Sequence, residues 1–200
     1  MNHTHSSFRK TGIAVFILTF LTSFSFSQKV HTSYLWHMDQ PVYWADKSKD
    51  KPDSKQFVEE SQRLKMSGGN MYTGSSLAHP TNNLEEIFSK ADRVNAYQSA
   101  PRDAVNSIKD ISNAGAQLSI SAGLLENIQS LGVKNQWGYS SNWMNAYKEA
   151  ISWKTGGGFP RLDIVTFTYD HALSPLVSER TLIKQIKAHQ YVSNKYYGYN

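Results

Sequence analysis

Two short stretches carry side chains whose types and spacing can do chemistry. The first is His37-Met38-Asp39-Gln40-Pro41, followed by Tyr43 and Trp44; the second is Tyr169-Asp170-His171, followed by Ser174-Pro175. His37 and Asp39 are two residues apart, so on an extended chain they face the same side. An imidazole beside a carboxylate can ligate a divalent metal, contact the hydroxyls of a sugar, or simply satisfy its neighbour as a polar pair. Asp170-His171 admits the same three readings. Trp44 and Tyr43 follow a turn-forming proline, where rings either stack on the apolar face of a pyranose or cover the end of a sheet. His79, ahead of Pro80 in an expected loop, is a further candidate for the same rim. Glu126 falls inside an expected helix and reads as a surface or capping residue. His189 reads as structural or solvent-facing, and His31 as inconsequential.

The elements that must position these groups alternate along the chain. Val30–Trp36 reads as a strand, and the polar stretch 45–70 as a long loop of the kind that is functional or disordered. Leu84, Ile87, Ala91 and Val94 recur at helical spacing. Pro101 opens a second helical run with Val105, Ile108 and Ile111 on its apolar face. Ala116–Ser121 is the next strand, followed by a helix through Leu124, Leu125, Ile128 and Leu131 that Gly132 is expected to end. Ser141 or Asn142 can cap a helix with Met144, Tyr147 and Ile151 inward, broken by Gly156-Gly157-Gly158. Leu162–Thr168 is rich in β-branched and aromatic residues, as a strand covered on both sides requires. Ser178 caps a last helix whose buried face is expected at Leu182, Ile183 and Ile186. The tail from Tyr191 to Asn200 shows no helical period. The order predicts an α/β fold of parallel βα units, in which the polar residues just past each strand end share one face. Three strands do not close a barrel, which takes roughly 250 residues.

The 200 residues hold 40% hydrophobic and 12% aromatic residues but only 18% charged ones, and no cysteine. Collagen-like, low-complexity and coiled-coil classes are excluded, as are disulfide scaffolds, thiolate metal sites and a cysteine nucleophile. Abundant aromatics with few charges suit either a sugar-facing cleft or a large core. Residues 1–27 read as a secretory signal peptide: Arg9 and Lys10, then the apolar run Gly12–Phe24, then Ser25 and Ser27 at −3 and −1 of a cut before Gln28. Cleavage there leaves 28–200 as the mature domain, periplasmic or secreted, and lowers the net charge from +5 to +3. No basic cluster alternates with aromatics, so nucleic acid is not an expected partner. The triple glycine lacks G-x-x-x-x-G-K-[ST] and precedes a strand, so no nucleotide is expected either. Ser121-Ala122-Gly123 is not a nucleophile elbow.

His37-Met38-Asp39-Gln40-Pro41 resembles the H-x-H-Q-P motif of glycoside hydrolase family 57, within the wider family 57/38 glycosidase and sugar-deacetylase-like superfamily. His37, Gln40 and Pro41 match, and Asp39 stands where the family has a second histidine. Tyr169–Leu176 looks like the family's third-strand motif, with His171 as the matching histidine, and His79-Pro80 through Gln98 looks like its first outer-helix region. The resemblance covers residues 31–199. It implies a (β/α)7 barrel-like fold of which only the first three βα units are present, an incomplete barrel. It also implies an activity that cleaves or transfers α-glucans with retention, using two carboxyl groups about 5–5.5 Å apart. The matching glutamate nucleophile and the acid/base aspartate are expected beyond Asn200, so neither Glu126 nor Asp170 takes those roles and the chain alone is expected to be inactive. The resemblance assigns no cofactor. It implies a polysaccharide or oligosaccharide partner met by His37, Asp39, Gln40, Trp44, His79, Asp170 and His171, with the remaining carboxyl-terminal part of the protein as a further partner. His37-x-Asp39 is also similar to the zinc-ligating His-x-Asp of family 38 mannosidases, which makes those two residues the metal candidates, although Gln40-Pro41 favours family 57. Two alternatives stay open: a carbohydrate-binding protein of the same fold without turnover, and a metal-dependent sugar deacetylase or mannosidase-like enzyme.

Overall fold

The computed structural model describes residues 32–43, 47–66 and 83–198. The signal-peptide reading of 1–27 and the candidates Trp44 and His79 lie outside the described residues. From Ser33 onward the chain forms one unit.

Its centre is a parallel sheet of three strands, β1 (Leu35–Met38), β2 (Ala116–Ile120) and β3 (Leu162–Ile164), in the order β1-β2-β3. Leu35 pairs with Gln117 and His37 with Ser119; Ala116 pairs with Leu162 and Leu118 with Ile164. Parallel pairing needs long crossovers, and helices supply them. Between β1 and β2 run α1 (Val58–Met66), α2 (Leu84–Ser89), α3 (Ala91–Gln98) and α4 (Ala100–Ser107). Between β2 and β3 run α5 (Ala122–Val133) and α6 (Met144–Ser152), and α7 (Glu179–Tyr197) follows β3. The sheet is open among the described residues: an α/β fold of parallel βα units, not a closed barrel.

Several boundaries differ from the sequence reading. The 45–70 stretch is not all loop, because Val58–Met66 is helical. Its buried side is mostly polar, and distant partners satisfy it: Glu59 takes hydrogen bonds from Ser130 and from Lys134 at 2.5 Å, and Gln62 bonds the amide of Leu84 at 3.0 Å. Gly132 lies within α5 instead of ending it. Glycine there has a local cause: a Cβ would stand 2.5 Å from the carbonyl oxygen of Ser140, where the next loop crosses the helix. The third strand pairs only as far as Ile164. The last helix runs on through the tyrosine-rich tail to Tyr197 and stops at Gly198, whose φ of +66° makes the left-handed cap that glycine adopts without strain.

That extension rotates the expected inner face of α7. Its buried residues are His189, Val192, Ser193, Tyr196 and Tyr197, whereas Ile183 and Ile186 are exposed. The tyrosines join an aromatic layer with α6: the Trp143 ring lies 5.7 Å from Tyr196, and Tyr147 lies 5.6 Å from Tyr197, both tilted or edge-on as ring quadrupoles prefer. With Leu118, Ile120, Leu124, Leu125, Ile128 and Leu131 these residues make the core. Among the described residues the aromatics are therefore largely core.

Candidate functional site

Parallel pairing puts the carboxyl ends of β1, β2 and β3 at one edge, and the segments 39–43, 121–127 and 165–171 emerge there. The His37 ring lies 4.5 Å from that of His171, nearly edge-on at 65°, and His171 lies 5.1 Å from Phe167. Two imidazoles separated by 134 positions thus meet at the rim. His171 holds φ +54°, the left-handed region that non-glycine residues enter at a cost. The chain turns there within one residue, and the amide of His171 bonds back to the Thr168 carbonyl at 3.4 Å.

Asp170 is set by a two-point clasp. Its amide donates to the Gln185 side chain at 2.9 Å, and the Gln185 amide group donates to its carboxylate at 3.0 Å. Phe167 donates its amide to Nδ1 of buried His189 at 2.9 Å, so α7 holds the 165–171 segment from beneath. His189 is accordingly structural. Burial lowers its pKa below the ordinary histidine value.

Gln40 is committed to packing. It donates to the Tyr97 hydroxyl at 2.8 Å and accepts from the Tyr43 hydroxyl at 2.5 Å, which ties the loop after β1 to α3. Tyr43 packs edge-on to Phe88 at 6.2 Å, and burial raises its pKa. Tyr43 is thus part of the cover over the sheet end. Asp39 is half-buried beside this loop. Among the described residues no group of three or more His, Asp or Glu is placed to hold a metal ion.

The structure adds a second cluster that the sequence reading set aside or passed over. Lys55 and Glu126 form an ion pair at 2.9 Å, and Tyr169 touches both, donating to Glu126 and accepting from Lys55. The Lys55 ammonium stands 4.5 Å from the centre of the Tyr169 ring. Burial, and then the hydrogen bond to Glu126, push the Tyr169 pKa up, so the phenol keeps its proton as a donor. Glu126 projects from the second turn of α5, toward the rim and not away from it. Its place six residues past the end of β2 was the one legible signal; Lys55, from a polar stretch far away in sequence, offered none.

No protein-family model matches the chain, and no solved structure matches it. Over 179 residues it is 25% identical to an alpha-amylase of Niallia circulans, an alignment covering 82% of this chain and 14% of that protein. The chain therefore spans about one-seventh of the length of a relative that is a carbohydrate-active enzyme.

Proposed function

We propose that the chain is the opening part of a carbohydrate-active barrel enzyme of the family 57 type, exported after cleavage before Gln28, and that its strand-end rim binds a glucan chain. The observation that carries this reading is the meeting of His37 and His171, the two histidines matched to family motifs, at the carboxyl ends of parallel strands, where ligands of parallel α/β folds bind. The similarity to an alpha-amylase supports the substrate class. The incomplete-barrel reading draws support from the sheet itself: Leu35 and Trp36 of β1 and Phe167 beyond β3 are exposed apolar groups, at 53%, 42% and 40%, of the kind that further βα units cover.

In this reading His37, Asp39 and His171 bind sugar hydroxyls, and Gln40 shapes the loop that follows β1 and carries Asp39. The nucleophile and the acid/base group are supplied by later strands, so the 200-residue chain binds without turning over. Titration calorimetry of the full chain with maltoheptaose tests the reading. Binding that falls at least about tenfold in both His37→Ala and His171→Ala, without released reducing ends, is the expected result. A chain that binds no oligosaccharide refutes it.

A further inference from the structure

A cleft of about 620 Å³ opens beside the rim, lined by Lys47, Asp53, Ser54, Lys55, Tyr169 and Asp170 among others. Its volume lies within the roughly 300–1,000 Å³ of small-molecule sites. We propose that this cleft, which Lys55 and Tyr169 line with Glu126 paired behind them, is a saccharide subsite distinct from the His37–His171 pair and takes a short neutral stretch of the same glycan. The inference rests on the carbohydrate reading above and names where a second part of the chain is gripped.

Three observations carry it. The first is charge. The lining offers two ammonium groups and two carboxylates, and Lys55 is further matched by Glu126 at 2.9 Å. With Glu126 counted, three carboxylates stand against two ammonium groups, so the wall does not attract a phosphate or a polyanion. A sugar hydroxyl, which both donates and accepts, meets a partner of either kind. The second is placement. Lys55 and Glu126 keep 29% and 23% of their side chains exposed, toward solvent at the strand ends, so the pair is accessible to a ligand. The third is rigidity. The wall that carries Asp53 and Ser54 is a closed turn: Lys47 and Lys55 bridge antiparallel, the Ser48 amide bonds the Ser54 carbonyl at 2.8 Å, and the Lys51 amide bonds the Ser48 hydroxyl at 2.9 Å. On the facing side Asp170 is fixed by Gln185. Polar groups held in place before the ligand arrives reduce the ordering cost of binding.

The test uses the full chain and a panel of neutral oligosaccharides: maltoheptaose, cellohexaose and laminarihexaose. Affinity is measured by calorimetry, and contact by amide shifts at Gly123, Tyr169 and Asp170. At least one sugar is expected to bind and to move those three amides. Lys55→Met and Asp53→Asn are each expected to weaken it about tenfold, the loss of one charge-assisted hydrogen bond. Asp53→Asn, on an exposed turn, should keep the wild-type melting temperature, which separates ligand contact from a purely structural ion pair. In His37→Ala the three amides should still respond at higher sugar concentration. If the wild type binds a sugar that leaves those amides unmoved, and both variants keep its affinity while His37→Ala loses it, the subsite is wrong and the rim reading stands. If no sugar binds the wild type, the carbohydrate reading falls and the subsite falls with it.

Discussion

Replacing Arg161 with Met should destabilise the fold from the end of the sheet opposite the rim. Arg161 is 8% exposed and directly precedes β3. Its guanidinium donates to four backbone carbonyls: Lys154 at 3.0 Å, Ile111 at 3.0 Å, Ala114 at 2.7 Å and Ser112 at 3.3 Å. Its own carbonyl accepts from the Ala116 amide at 2.8 Å, which starts the β2–β3 register. One cation thus gathers the turn after α4 and the turn before β3 around the point where the two strands begin to pair. A hydrogen bond to a charged group contributes roughly 1.5–3 kcal/mol. The four are not additive, and carbonyls from exposed residues can take water once the guanidinium is gone. A net loss of about 3 kcal/mol follows, or about 6–12 °C in melting temperature for a unit of this size. Arg161→Lys should recover less than half, because an ammonium cannot span a fork that reaches four oxygens. Urea denaturation followed by tryptophan fluorescence measures both variants. A loss under about 0.5 kcal/mol in Arg161→Met, or full recovery in Arg161→Lys, would show that water replaces the clamp without cost and that β2–β3 register is set elsewhere.

Other perturbations have outcomes of comparable sharpness. Because burial holds the pKa of His189 below its ordinary value, folded and unfolded chains are both neutral there above about pH 6.5. As pH falls below that, the unfolded chain gains the proton first, so stability declines with a slope of at most about 1.4 kcal/mol per pH unit. Urea midpoints between pH 7.5 and 5.5 should show this decline, and it should be weaker in His189→Gln; an unchanged slope in the variant assigns it to other groups. Gly132→Ala should cost roughly 2–3 kcal/mol, since the Ser140 carbonyl oxygen 2.5 Å from the new Cβ belongs to the backbone; a thermal melt within 2 °C of wild type, at about 2–4 °C per kcal/mol, would contradict it. Expression with the natural leader should yield a protein that begins at Gln28 by amino-terminal sequencing, and one that begins at Met1 in the cytosol defeats the export proposal.

Local chemistry was legible where a group acts through its own strand or cap. Ser178 accepts from the Thr181 amide at 3.3 Å as its type and place foretold, and Leu124, Leu125, Ile128 and Leu131 are fully buried at helical spacing. The parallel order followed from alternation, and that order puts the segments carrying His37 and His171 at the same edge of the sheet. What failed to show was whatever depends on a distant partner. Helix α1 hides because its buried side is Glu59, Glu60, Ser61 and Gln62, a pattern without apolar period that is stable only once Ser130, Lys134 and the Leu84 amide arrive. Helix α7 reads with the wrong face inward because Leu182, Ile183 and Ile186 look like core, yet the aromatic layer formed by Trp143 and Tyr147 captures Tyr196 and Tyr197 instead. The strand that reads as Leu162–Thr168 ends early because the Phe167 amide bonds an imidazole of α7 in place of a neighbouring strand. That same departure from the sheet frees residues 167–171 to turn over the rim, placing His171 against His37 and Tyr169 against Glu126 and Lys55. The interruption of regular structure and the assembly of the candidate site are one event. Its controlling residue, His189, lies 18 positions beyond the histidine it helps to place.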